Sequence, residues 1–263
     1  MFNPIKWLLE LKAFKAYSKS LNTYLKNPLV FIPFALENLL PIIITSTVIL
    51  IVMGAPGIDY YYNPNVFLIA DPLAGPKLFF SLMVSAVIGA FIISYFDAAG
   101  LSLALMSIKQ GKVKFNDAWT AAKGLFFKQV IVFLLLALTG IGLIFPLLFF
   151  ITFGISPVIY VFYSFFASVF YLLCILYPRI ISVVEPNESG FQAFFKGIKF
   201  SFTKIPHVMG ILLVVFIVFS ALSLISLLSP QVYYLVFLVF LFPWINIMLM
   251  QSYLIHSKGV VKK

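Results

Sequence analysis

From residue 29 the chain reads LVFIPFALENLLPIIITSTVILIVM, 25 positions with hardly a break in apolar character. Five further runs of this kind follow, at about 78–107, 129–153, 157–177, 207–228 and 232–256. Each is long enough to cross the hydrocarbon of a bilayer, which takes about 20 residues as a helix. The third and fourth are parted only by a turn containing Gly154, Ser156 and Pro157, the fifth and sixth by Ser229, Pro230 and Gln231. The second is longer than needed, so tilt or projection beyond the bilayer is expected.

Between the runs the pattern changes to helical spacing. Trp7, Leu11, Phe14, Leu21 and Leu25 share one face, with lysines on its flank; Phe115, Trp119, Ala122 and Phe126 repeat alike, as do Phe191, Phe194, Phe195, Ile198 and Phe202. Ser189 with Gln192 forms a capping-box start for the third stretch. Such segments are expected to lie in the membrane interface, aromatics toward lipid and lysines toward phosphate. Trp7, Phe14, Trp119 and Phe194 are the expected lipid-facing residues. The expected fold class is therefore an all-α integral membrane protein, with six transmembrane helices and three amphipathic interfacial helices. Lys12-Ala13-Phe14, Asp117-Ala118-Trp119 and Gln192-Ala193-Phe194 occupy matching places. They suggest a single membrane domain over 1–263, built as a parallel pseudo-repeat of units 1–109, 110–182 and 183–263. The alternative is that basic, amphipathic character is common to any segment between spans.

Composition agrees with lipid as the solvent. The 263 residues are 63% hydrophobic, 18% aromatic and 10% charged, against roughly 45–50% apolar and about 25% charged in soluble domains. Charge adds orientation. Of the 18 Lys and Arg, all but Lys77 fall in segments on one side of the spans, and the segments alternate without exception. By the positive-inside rule that side is cytoplasmic, with both termini, in a multi-pass cell-membrane protein. The net charge of +10 is spread along these flanks, so anionic lipid headgroups are the expected partners, with a membrane-protein partner beside them, and nucleic acid is not. The first 26 residues lack a signal-peptide pattern, so the first span is expected to be retained. Asn187-Glu188-Ser189 fits a glycosylation site but reads as a helix start on this threading.

Candidate chemistry lies inside the spans. At 1.5 Å rise per residue, Glu37 is roughly 13 Å deep, and Asp97 and Asn246 are each roughly 15 Å deep. With Asn38 adjacent, Glu37, Asp97 and Asn246 form a candidate intramembrane polar cluster. On this reading no intramembrane Lys or Arg is at hand to pair with the acids. Pro33 and Pro41 free the carbonyls of Leu29 and Glu37 and predict a kinked or broken first span. Broken spans at midplane bind cations or protons in many transporters; the alternative is plain interhelical hydrogen bonding. Small residues at Ala86, Ala90, Ser94, Ala98 and Ser102, and at Ser81, Ser85 and Gly89, predict close helix packing. Tyr60, Tyr61 and Tyr62 read as an interfacial belt.

No phosphate loop, nucleophile–base pair or zinc motif is present, and His207 and His256 lack a ligand cluster. Cys174 is the single cysteine. Neither an enzyme, a cofactor nor a metal is expected.

The stretch Tyr177-Pro178-Arg179-Ile180-Ile181-Ser182-Val183-Val184-Glu185, followed by Gly190-Phe191-Gln192-Ala193 and Lys199-Phe200-Ser201, with the amphipathic segment from Asp117 to Lys128 before it, resembles the YciC-like six-span prokaryotic membrane proteins. It is similar too to the membrane domain attached to some glycerophosphodiester phosphodiesterases. The resemblance implies a six-helix membrane domain without catalytic residues; nothing in these 263 residues matches the phosphodiesterase domain. The expected function is a non-enzymatic membrane-organising or accessory component that contacts lipid and other membrane proteins. The alternative is a small-solute or lipid transporter with an intramembrane carboxyl site.

Overall fold

A computed structural model describes residues 12–54, 57, 73–111, 113–154, 156–226 and 229–257. Among the described residues every regular element is helical. In chain order these are α1 (Lys12–Lys26), α2 (Phe31–Met53, entered through a 3-10 turn at Pro28–Val30), α3 (Ala74–Gln110), α4 (Phe115–Thr152), α5 (Pro157–Leu176), α6 (Pro178–Val184), α7 (Gly190–Thr203), α8 (Ile205–Ser226), α9 (Pro230–Val236) and α10 (Phe242–Ser257). A π-helical segment, Phe237–Leu241, joins the last two.

Among the described residues, six stretches are long and apolar enough to cross a membrane: Pro28–Met53, Gly75–Gln110, Phe115–Leu147, Val158–Val184, Ile205–Ser223 and Pro230–Ser257. Their outward surfaces are apolar, as Ile51 on α2, Phe79 on α3, Phe165 on α5 and Phe216 on α8 illustrate, each more than half exposed. In water such a surface would aggregate; in hydrocarbon it is at home.

Some helix boundaries fall at prolines, while Pro41 and Pro146 lie inside helices. Asn27-Pro28 parts α1 from α2, and Lys204 with Pro206 parts α7 from α8. Residues 115–145 hold no proline, and α4 runs for 38 residues, continuing past Pro146. The second of the three expected interfacial helices is thus the first turns of a span, not a separate element. The first span, expected to be kinked or broken, is not broken. Pro33 falls in the opening turn of α2, where no helical N–H is needed, and the helix passes through Pro41 without ending.

The sixth span is the axis of the bundle. From Pro243 to Tyr253 every residue except Ile245 is buried. α1 packs along α10, where Tyr17 meets Trp244 edge-on at 5.4 Å. α2 and α3 pack most closely of all. A Cβ on Gly100 would lie 2.7 Å from the Phe34 ring, so this approach requires glycine. Hydrogen bonds gather the lysine-rich end: Asn27 Nδ2 donates to Ser107 Oγ at 2.8 Å and Gln251 Nε2 to Thr23 Oγ1 at 2.9 Å.

Candidate functional site: a buried charge network

The chain's only arginine stands one residue past a proline, near the end of the fourth span. Pro178 takes the first position of α6, where its fixed φ suits the helix and its missing N–H costs nothing. α7 presses on this corner through Gly197, where a Cβ would fall 2.5 Å from the Pro178 nitrogen. The Arg179 carbonyl accepts from Gln129 Nε2 of α4 at 3.2 Å and from the Ser182 hydroxyl. Helical side chains lean toward the helix N-terminus, which for α6 is the direction of the bilayer interior. Arg179 therefore reaches inward from a cap-like position.

There it meets three other spans. Nη1 donates to Asp97 Oδ1 of α3 at 3.0 Å and to Glu37 Oε1 of α2 at 3.5 Å, and Nη2 donates to Asn246 Oδ1 of α10 at 3.2 Å. The guanidinium carbon lies 5.8 Å from the Phe133 ring centre of α4, a cation–π contact that covers one face. Asp97 is fully buried and the side chains of Glu37 and Arg179 are 7% and 16% exposed, so the two acids are largely withdrawn from solvent. Asn246 is held in turn by donation from its Nδ2 to Phe242 O at 2.9 Å. One guanidinium thus joins α2, α3, α6 and α10.

The expectation that no intramembrane cation is at hand for the acids is overturned. Arg179 counts in the sequence as one of the lysine-side charges, yet its head group is among the spans. Asn38 does not join: its Nδ2 donates to Phe34 O at 2.8 Å. Pro41 lies one turn from Glu37. Phe194, expected toward lipid, is turned inward with 5% exposure, because Gly190, Ala193, Gly197 and Ser201 form the packed face of α7 and Phe194 belongs to it. Its neighbours Phe191 and Phe195 are the exposed rings. Trp119 is half-buried, stacked on Tyr95 at 5.7 Å and edge-on to Phe96. On α1 the buried residues are Ala16, Ser20 and Tyr24, while Leu25 is exposed. Trp7, the side chain of Phe14 and the three tyrosines at 60–62 lie outside the described residues.

The chemistry of the network follows from its charge count. One guanidinium faces two carboxyl groups, a net charge of −1 when all three are ionised. Glu37 Oε2 and Asp97 Oδ2 are buried and have no hydrogen-bond partner. One turn from Glu37 and one turn from Asp97, a cavity of about 530 Å³ opens between α2, α3 and α4, its lining including Pro41, Thr45, Ser85, Gly89, Ile93 and Phe133. Among the described residues no group of His, Cys, Asp and Glu is placed to hold a metal ion.

A second polar centre lies nearer the lysine-rich end. Ser252 Oγ is hydrogen-bonded to the Tyr177 hydroxyl at 2.9 Å and to His207 Nε2 at 2.6 Å, and the rings of His207 and His256 are 4.2 Å apart. Glu185, just past α6, accepts from Lys196 and from the Tyr253 hydroxyl. Burial alone would raise its carboxyl, but these hydrogen bonds and the charges of Lys196 and Lys128 outweigh it and hold the group below the usual range.

These features define a class: a multi-pass, all-helical membrane protein with a charge network between its spans. No family model matches the chain, and no curated protein or solved structure matches it.

Proposed function

We propose that the chain is a non-enzymatic, membrane-organising component of the cell membrane, with both termini in the cytoplasm and lipid and other membrane proteins as its partners. The observation that carries this reading is the cross-bracing of spans by the Arg179 network. Its members brace four spans against each other. The lysine bias supports the orientation. α1 and α7, with Leu25, Phe191 and Phe195 exposed beside lysines, serve as interfacial helices on the cytoplasmic leaflet. The motif from Tyr177 to Glu185 carries the resemblance to six-span YciC-like proteins and also builds the network. That supports a membrane domain in which the stretch has a structural task.

A second reading has its own observation. The unpartnered Glu37 Oε2 and Asp97 Oδ2, with a cavity one turn away, suit a transporter that takes up a proton or cation beside its cargo. Reconstituted Glu37→Gln and Asp97→Asn variants separate the two. Loss of solute flux with folding intact sinks the organising reading; a change confined to stability sinks the transporter. Cysteine accessibility along 112–128 reports the orientation, and labelling of that segment from outside the cell would reverse it.

A further inference from the structure

Two cavities open at the lysine-rich end and share Lys109 and Leu254. The larger, about 900 Å³, lies between the ends of α3 and α10 and the length of α7. Lys109, Lys199, Lys204 and His256 line it, together with an apolar portion that includes Phe195 and Leu254. The smaller, about 680 Å³, lies between α1, α3 and α10, with Lys19, Asn22 and Gln251 in its wall.

The charges in the larger cleft are unevenly spent. Its acid, Glu185, is paired with Lys196 and takes the Tyr253 hydroxyl as well, and Glu188 is also paired with Lys196. Among the described residues, Lys109, Lys199 and Lys204 have no acidic partner. Three unpaired ammonium groups around one concavity form an anion site rather than a scattered surface charge. The smaller cavity adds a separate sign of a ligand. Gln251 is 6% exposed, its Nε2 is committed to Thr23 Oγ1, and its Oε1 is buried without a donor. A buried acceptor without a donor, in a cavity wall that also holds Lys19 and Lys109, suits a group that brings both negative charge and hydrogen-bond donors.

We infer that these joined cavities bind the phosphodiester headgroup of an anionic phospholipid, with phosphate on Lys109, Lys199 and Lys204, the upper acyl chain along Phe195 and Leu254, and a donor hydroxyl of the headgroup toward Gln251. The apolar wall decides between sources of phosphate. A free phosphate or a soluble phosphoester gains nothing from Phe195, which is 63% exposed on the same helix as Lys199. A lipid in the adjoining leaflet buries it. Basic pockets between spans at a headgroup layer are sites of this kind. The inference rests on the reading that this end of the bundle meets headgroups. It does not depend on which leaflet that is, so the accessibility map above and the binding test below fail independently.

The test uses the full chain, purified in detergent and placed in nanodiscs of phosphatidylcholine with and without phosphatidylglycerol. Lipids retained on re-extraction are weighed by native mass spectrometry. Wild type should retain phosphatidylglycerol selectively, and K109Q/K199Q/K204Q should lose roughly tenfold or more of that selectivity. A control with the same charge change at the exposed Lys26, Lys114 and Lys123 should keep it. Equal loss in the control would overturn the inference, leaving only diffuse surface attraction. Displacement of the lipid by inorganic phosphate or glycerol phosphate at matched concentration would overturn the lipid assignment in favour of a soluble ligand. If the triple variant does not fold, a photoactivatable phosphatidylglycerol on wild type decides: crosslinks at α7 and the end of α10 support the site, and crosslinks spread over the exposed spans overturn it.

Discussion

Arg179 Nη1 lies 3.0 Å from Asp97 Oδ1, although the two residues are 82 positions apart and come from different spans. This contact and the weaker one to Glu37 make the arginine the hub of the bundle. Arg179→Met removes the only cation from between two buried carboxyls and leaves them facing each other. Breaking a buried ion pair in this way costs about 3–5 kcal/mol. The expected result is a lower unfolding midpoint in detergent and poor yield. Adding Glu37→Gln and Asp97→Asn to the same chain removes the stranded charges and should recover most of the loss. A triple variant no better than the single would show that the arginine acts through packing alone.

The two acids are not equivalent. Glu37 is the more distant, at 3.5 Å against 3.0 Å, and one guanidinium needs only one carboxylate for neutrality. Glu37→Gln keeps shape and balances the charge, so its cost should be about 1 kcal/mol or less. Asp97→Asn gives up the shorter charged hydrogen bond and should cost about 2–3 kcal/mol. Equilibrium unfolding in mixed detergent micelles ranks them, and the opposite order would show that Glu37 is the arginine's main counter-charge.

Much of this bundle can be read from the chain, because lipid imposes a length and an apolar run satisfies it. The helix at 31–53 and the capping box at Ser189 follow from local pattern, and local pattern survives folding. Arg179 shows where that reasoning runs out. Counting cations between spans treats a residue near a span end as wet, yet the lean of helical side chains turns this one inward. One sign was in the sequence: every other basic residue is Lys, and a lone Arg suits forked contact with buried carboxylates. Phe194 fails for a related reason. Five apolar residues along α7 read as one lipid face, but Gly190 and Gly197 mark the side on which backbones approach, and a bulky ring between two such glycines goes with them. Which small residues meet a neighbour depends on tertiary partners that spacing does not encode.

Glu185 gives a pH signature at the lysine-rich end. Its carboxyl is held below the usual range in the folded protein, despite partial burial, by Lys196, Tyr253 and Lys128. A group depressed on folding contributes stability above its unfolded pKa, near 4.5, and the contribution is lost as pH falls through the lower folded value. Glu185→Gln should therefore unfold at a lower temperature than wild type at neutral pH. The gap should narrow as the buffer is taken below the unfolded value. Thermal melts at several pH values check this, and a gap that widens in acid would contradict the assignment.

Tyr24 and Pro243 form a linked pair across the bundle. Pro243 has no N–H, so the carbonyl of Val239, four residues earlier, loses its helical donor. The backbone just before Pro243 is π-helical, over Phe237–Leu241, and the Tyr24 hydroxyl of α1 donates to that carbonyl. Burial pushes the Tyr24 hydroxyl up to about 12, so it stays a donor over the physiological range. Tyr24→Phe leaves a carbonyl unsatisfied in an apolar setting and should cost about 1–3 kcal/mol, along with part of the hold that fixes α1 to the sixth span. In a Pro243→Ala background, residue 243 supplies its own N–H and the carbonyl no longer depends on the tyrosine. There the same Tyr24→Phe change should cost clearly less. A double-mutant cycle read by unfolding, with limited proteolysis of α1 as a second signal, measures the difference. Equal cost in both backgrounds would mean that the tyrosine stabilises through its ring, which packs edge-on to Phe240 at 5.4 Å, and not through the freed carbonyl.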